Sequence, residues 1–229
     1  MNRIVAVGFD WDGTLIDTLE DKIKNGALVF HEALGADIGK SMRAYQEHSG
    51  IPRQDLYNEI ALFTIGRNLT KDEYSCLSWQ VSARNYFAAK KAEFFPEAIS
   101  TVKKLREEGR IVYVSSSVPQ NELDAVIHTH KIKEFFNERL GSGSRTGNKG
   151  IGHTRFIREN YGLDSQPIVF VGDERPDMEL AREAGILPIG ITNTISREDL
   201  IKAGAVDTIQ SHYELPYLIR NMEMQNVPL

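Results

Sequence analysis

Short apolar runs alternate along this chain with longer segments in which apolar residues recur every three to four positions. The first run, over residues 3–9, is short and rich in β-branched residues, and it predicts a buried strand of the parallel type. From residue 18 the period changes. Leu19, Ile23, Ala27, Phe30 and Leu34 fall on one helical face, and Gly35 suits the helix end. Pro52 can open a second helix carrying Leu56, Ile60 and Phe63. Thr70-Lys71-Asp72-Glu73 has the form of a capping box, which predicts a long helix to about Lys91. No strand signal occurs in this block, so residues 18–93 are expected to form an all-helical insert.

Strand–helix alternation begins after Pro96. A helix over 97–108, with Ala98, Val102 and Leu105 on its apolar face, stops at Gly109. Strand 111–115, helix 120–129 and a short strand near 139–141 follow. A helix then runs from about Lys149 to near Gly162, followed by strand 168–172, helix 176–184 and strand 187–191. Ser196 reads as a further helix N-cap. This order predicts an α/β fold in which residues 1–17 and 94–229 build a Rossmann-like parallel sheet core covered on both faces, with 18–93 as a helical cap domain. Ligands of such sheets lie outside the carboxyl ends of the strands, at a switch point of the topology.

Composition narrows the classes. A length of 229 residues suits one large domain or a core with a modest insert. The formal charge of −5, with no basic block, argues against nucleic acid or an anionic membrane surface as partner. Cys76 is the only cysteine, which rules out an internal disulfide and fits a reducing, cytoplasmic setting. The first apolar run is cut short by Asp10, too early for a signal peptide or a membrane span.

The chemistry gathers at the strand ends. The first run closes on Asp10-Trp11-Asp12-Gly13-Thr14. Such a stretch can be a surface turn. A buried strand, however, gains nothing by ending in two like charges, each of which costs several kcal/mol to desolvate unpaired. A bound hard cation such as Mg²⁺ removes that objection, and one carboxylate is then placed to attack phosphorus. The strand at 111–115 ends in Ser115-Ser116-Ser117, and the strand at 168–172 ends in Asp173-Glu174-Arg175-Pro176-Asp177. A glycine- and serine-rich loop, 141–147, leads to Lys149. Four segments thus deliver acids, hydroxyls and one amine to one face of one sheet.

These segments resemble, in order, the four motifs of the haloacid dehalogenase superfamily. Asp10, Asp12, Gly13, Thr14 and Asp17 match the first, Ser115 the second, Lys149 the third, and Asp173 with Asp177 the fourth. Asn148-Lys149-Gly150 departs from the Lys-Pro pair common in relatives. The resemblance implies that Asp10 is a nucleophile that becomes an aspartyl phosphate, and that Asp12 is a general acid and then a base. It implies a Mg²⁺ site drawn from Asp10, Asp12, Asp173 and Asp177, with Asp12 contributing its backbone carbonyl. That leaves the Asp12 carboxyl to protonate the leaving oxygen. Ser115, helped by the Ser116 backbone N–H, would bind a phosphoryl oxygen, and Lys149 would offset the acids and the phosphate. Asp177 also stands where a helix N-terminus welcomes any carboxylate, and Ser115 where a serine can cap the next helix.

Other patterns carry less. The glycines at 141, 143 and 147 miss the dinucleotide spacing, no NTPase P-loop motif occurs, and the six histidines form no metal-like cluster. Gly50-Ile51-Pro52-Arg53 resembles the substrate-specificity loop in the caps of phosphoglycolate phosphatase and β-phosphoglucomutase relatives, which makes Arg53 a candidate to grip the far end of a substrate or else an exposed helix-start residue. Arginine there argues against a Schiff-base phosphonatase, Asp12 against a dehalogenase, and Lys22, where mutase relatives carry histidine, against a mutase. The expectation is a Mg²⁺-dependent phosphatase for a small phosphorylated metabolite, monomeric or homodimeric. Its rivals are a β-phosphoglucomutase-like phosphotransferase and a phospho-accepting signalling module, whose known examples are far shorter and lack a helical insert.

Overall fold

Six strands and ten α-helices are seen in the computed structural model, which describes residues 3–143 and 146–225. The strands are β1 (Ala6–Phe9), β2 (Ile111–Pro119), β3 (Glu138–Ser142), β4 (Ile168–Gly172), β5 (Leu187–Ile191) and β6 (Asp207–Ile209). They form one parallel sheet in the order β3-β2-β1-β4-β5-β6. The chain builds outward from β1 on one side, then returns to lay β4 against its other edge. The switch point is therefore at β1, where an α/β sheet opens a crevice. Every residue of β1 and β4 is buried, which accounts for their near-continuous apolar sequences.

The chain divides into two compact units, Met1–Asp17 with Glu93–Leu229, and Thr18–Ala92. The first holds the sheet and helices α5 (Ala98–Glu107), α6 (Gln120–Thr129), α7 (Ile151–Tyr161), α8 (Arg175–Glu183), α9 (Arg197–Ala203) and α10 (Leu215–Gln225). One face of its sheet packs Ala6, Tyr113, Leu140 and Phe170 against Ile157 of α7 and Ala181 of α8. The second unit is wholly helical: α1 (Leu19–Leu34), α2 (Ile38–Glu47), α3 (Arg53–Ile65) and α4 (Lys71–Ala89). Its core joins Ile23 and Phe30 of α1 to Tyr45, Leu56, Tyr57, Leu77 and Val81. Each such side chain contributes about 1.5–3 kcal/mol when fully buried. Among the described residues no helix is long and apolar enough to cross a membrane.

Several bounds differ from those expected. The strand at 3–9 begins only at Ala6; at Ile4 side chains take the backbone, its N–H donating to Glu223 and its carbonyl accepting from Arg110. The helix at Lys149 begins at Ile151, after Gly150 with φ of 90°. The long helix opened by the Thr70 capping box ends at Ala89 rather than Lys91. Strand β2 runs past Ser115 to Pro119, and between the pairs Ser115–Leu140 and Pro119–Ser142 three residues of β2 stand against one of β3. That bulge sits where bulges commonly re-aim side chains next to active sites. Helices α2 and α10 and strand β6 were not expected. Ser144 and Arg145 of the glycine- and serine-rich loop lie outside the described residues.

Candidate active site

Asp10 is the first residue beyond β1, and its N–H donates to the Val171 carbonyl of β4 at 2.8 Å. The chain then turns tightly, with Gly13 N–H donating to the Ile16 carbonyl at 2.9 Å. Gly13 has φ of 77°, and a Cβ there would lie 2.2 Å from Asp173 Oδ2. Glycine is needed at this position on both counts. Asp173 follows β4, and its two oxygens accept from Thr14 Oγ1, at 2.5 Å, and from Thr194 Oγ1. Thr194 lies in the connection after β5, next to Asn193, whose Nδ2 donates to the Gly13 carbonyl at 2.7 Å.

Asp177 stands in the first turn of α8. A Cβ on Gly172 would lie 2.4 Å from Asp177 Cβ, so the helix start can come this close only over a glycine. Asp177 Oδ2 accepts from the backbone N–H groups of Asp173 and Glu174, both at 3.0 Å. Its Oδ1 faces Lys149 Nζ at 2.5 Å. The carboxylate therefore caps α8 and pairs with the lysine at once. Lys149 Nζ also donates to Asp10 Oδ1 at 2.6 Å. The ammonium thus bridges the ends of β1 and β4 from the turn before α7.

Asp10, Asp173 and Asp177 are all buried, and each offers an oxygen within 4.8 Å of the others. Burial pushes the Asp10 carboxyl upward in pKa, opposed by Lys149 and reinforced by Asp177. Burial, then Asp177 and Asp10, hold Asp173 well above the usual carboxylate range. Burial by itself would lower Lys149, but Asp10 and Asp177 outweigh it and raise the lysine. Three carboxylates face one ammonium, and a divalent cation would balance the two charges in excess. The donors are all hard oxygens, which suits such an ion. The Asp12 carboxylate is not among the three; Asp12 is half-buried in the turn after Asp10.

Asp173 and Asp177 have their oxygens engaged by hydroxyls, amides and the lysine. Asp10 accepts at Oδ1 from Lys149.

Ser115 and Ser116 are buried, on the stretch of β2 where the register shifts. Ser116 Oγ accepts from Val118 N–H at 3.1 Å. Ser115 Oγ lies 2.8 Å from Nδ1 of His153, a buried residue of α7 that motif reading passed over. Burial pushes the His153 pKa down to about 4 against the pull of the Gly147 and Gly141 carbonyls. Thr194 was passed over as well, although its place after a strand's carboxyl end is a usable signal. Arg53 belongs to the helical unit, where its Nη1 donates to Ser82 Oγ at 2.7 Å and to Ser78 Oγ at 3.3 Å on α4.

Comparison with known proteins agrees with this layout. The sequence is similar to a phosphoglycolate phosphatase of Mannheimia succiniciproducens, 28% identical over 212 residues that span 83% of this chain and 87% of that one. A phosphoglycolate phosphatase of Vibrio cholerae is 24% identical over 84% of this chain and 86% of its own. The fold matches a crystal structure of a predicted phosphoglycolate phosphatase from Haemophilus somnus with a TM-score of 0.80, at 20% identity, covering 95% of this chain and 99% of the other. At that identity the match concerns the fold alone. The sequence model of the haloacid dehalogenase-like hydrolases matches residues 7–191, most of the chain and all four strand-end motifs. This chain belongs to the haloacid dehalogenase-like hydrolase family.

Proposed function

We propose that the protein hydrolyses a small phosphate monoester through an aspartyl phosphate on Asp10, with Mg²⁺ as the metal. The observation that carries this reading is the Lys149 ammonium bridging Asp10 and Asp177 within a buried carboxylate cluster. Asp10, Asp173 and Asp177, with the Asp12 backbone carbonyl, would hold the metal, which supplies positive charge to the phosphoryl oxygens.

The Asp10 carboxylate attacks phosphorus, the bond from phosphorus to the ester oxygen breaks, and the Asp12 carboxyl gives that oxygen its proton. Asp12 then takes a proton from a water that attacks the same phosphorus. The bond from Asp10 to phosphorus breaks, leaving inorganic phosphate and the carboxylate restored. Lys149, Ser115 Oγ and Ser116 N–H meet the charge on the phosphoryl oxygens. Dividing the reaction in this way suits phosphate monoesters, whose uncatalysed hydrolysis is so slow that enzymes accelerate it by up to about 10²¹-fold.

The relatives named above act on phosphoglycolate, a phosphate ester with a carboxylate at its far end. Arg53 in the helical cap is the residue we assign to such a group. The direct test is a screen of small phosphate esters, 2-phosphoglycolate included, with Mg²⁺ and with EDTA in its place, and with Asp10→Asn as control. Metal-dependent release of phosphate by the wild type alone supports the reading. Turnover that survives EDTA or the Asp10 substitution refutes it.

A further inference from the structure

His153 has no part in the chemistry above, yet it is 1% exposed and its ring is held on two sides. Nδ1 lies 2.8 Å from Ser115 Oγ, and Nε2 lies 3.2 Å from the Gly147 carbonyl. A buried imidazole so close to the serine assigned to the phosphoryl group can fix where that hydroxyl sits. The serine is on the bulged end of β2, where strand pairing with β3 is interrupted between Ser115 and Pro119. The sheet ladder therefore gives this segment less support than its neighbours, and a side-chain partner matters more.

We propose that His153 is a positioning residue that holds the Ser115 hydroxyl for phosphoryl binding. The proposal rests on the reading of Ser115 as a phosphoryl-binding group. It also specifies the ring in the phosphate-bound protein. A hydroxyl has one proton. If His153 Nδ1 is bare, that proton is spent on the ring. If Nδ1 carries the hydrogen, Ser115 Oγ accepts from it and donates its own proton to a phosphoryl oxygen. The bound state therefore carries its hydrogen on Nδ1, and because the neutral ring has only one N–H, Nε2 then gives up its contact with the Gly147 carbonyl, which can only accept. Burial keeps the ring neutral against the Gly147 and Gly141 carbonyls, and Lys149, the charged group that acts on the ring, adds a smaller push the same way.

Two near-isosteric variants separate this role from simple support of the loop before α7. In His153→Asn the side-chain amide reaches the place of Nδ1 and keeps a partner for Ser115. In His153→Gln the amide reaches the place of Nε2 and keeps the Gly147 contact. The proposal predicts that Asn retains kcat/KM to within about 3-fold while Gln loses about 10-fold, the scale of one hydrogen bond. In a Ser115→Ala background the Gln substitution should cost less than about 2-fold, because the contact it breaks is already absent. Gln tolerated better than Asn, or an undiminished loss in the Ser115→Ala background, overturns the proposal.

Nitrogen-15 NMR of the His153 ring in the wild type, titrated with inorganic phosphate in the presence of Mg²⁺, needs no variant to fold. Protonated Nδ1 in the phosphate-bound state supports the proposal. Phosphate binding with Nδ1 unprotonated overturns it alone. No phosphate binding at all removes the reading of the site and the proposal with it.

Discussion

Lys149 Nζ lies 2.6 Å from Asp10 Oδ1, with both side chains buried, so the nucleophile of the proposed reaction and its counter-charge form one desolvated ion pair. Such pairs are costly to break from one side, because the remaining charge stays buried and unmatched. Lys149→Met should therefore lower the stability of the protein in EDTA by about 3–5 kcal/mol. Added Mg²⁺ should recover part of that loss by taking over the balance of charge, while kcat/KM stays down by about 10²–10³-fold. Thermal denaturation with and without Mg²⁺, beside steady-state kinetics, checks both halves. A variant as stable as the wild type in EDTA would show that the ammonium does not hold the cluster together.

Thr14 and Thr194 donate to the two oxygens of Asp173 and so set how that carboxylate faces the cluster. Residues that orient a metal ligand in this way typically cost 10–100-fold in metal affinity when removed. Thr194→Val should raise the Mg²⁺ concentration needed for half-maximal activity by about 10-fold or more, with a smaller change in kcat at saturating metal. Calorimetric titration with Mg²⁺ gives the same quantity without substrate. An unchanged metal affinity would mean that Thr194 is only a loop contact.

His153 makes stability depend on pH in a defined direction. Its ring takes up a proton near pH 6.5 in the unfolded chain but only at about 4 in the fold, mainly because of burial. Between those values the unfolded chain binds the extra proton, so the contribution to stability falls as pH falls and is lost below about 4. The two pKa values correspond to a span of about 3 kcal/mol. The stability difference between wild type and His153→Asn, measured by denaturant titration in EDTA at several pH values, should therefore shift against the wild type as the pH drops from 6.5 toward 4. A difference constant across that window would contradict the buried, neutral imidazole.

Arg53 is expected to select substrates without taking part in bond making. Its guanidinium is presented by Ser78 and Ser82 of α4, so its position is shared between two helices of the cap. Arg53→Ala should lower kcat/KM for the native ester by about 10- to 150-fold, the range of a charge-assisted hydrogen bond, and spare a nitrophenyl ester that lacks an anionic far end. Ser82→Ala should produce a weaker form of the same selectivity change. Equal losses on both esters would move specificity elsewhere.

Much of this arrangement can be read from the chain because apolar strands that end in polar residues announce themselves. The runs before Asp10, Ser115 and Asp173 are buried strands, and the parallel topology brings their ends together at β1. The Thr70 capping box is present as its spacing implies, with both reciprocal hydrogen bonds. Other parts were hidden for physical reasons. Strand β6 has three residues, too few for a periodicity to show. Helix α2 carries a legible N-cap, Asp37 accepting from Lys40 N–H at 2.7 Å, but only a narrow apolar face behind it. His153 is an ordinary residue type whose meaning lies in a partner 38 positions away, and Thr194, although its place after a strand end can be read, bonds a partner 21 positions away that cannot. Local pattern does not report such pairings; only the closed sheet creates them.

The covalent state of Asp10 tests the account most directly. Asp12→Asn removes the acid and base but not the nucleophile, and nitrophenyl phosphate has a leaving group that needs no proton. That variant, mixed with nitrophenyl phosphate and Mg²⁺ and quenched in acid, should accumulate one phosphoryl group, which peptide mass mapping places on Asp10. The double variant with Asp10→Asn should carry none. Release of nitrophenolate with no phosphoryl group on the protein, or with the group on any residue other than Asp10, would contradict the proposed mechanism.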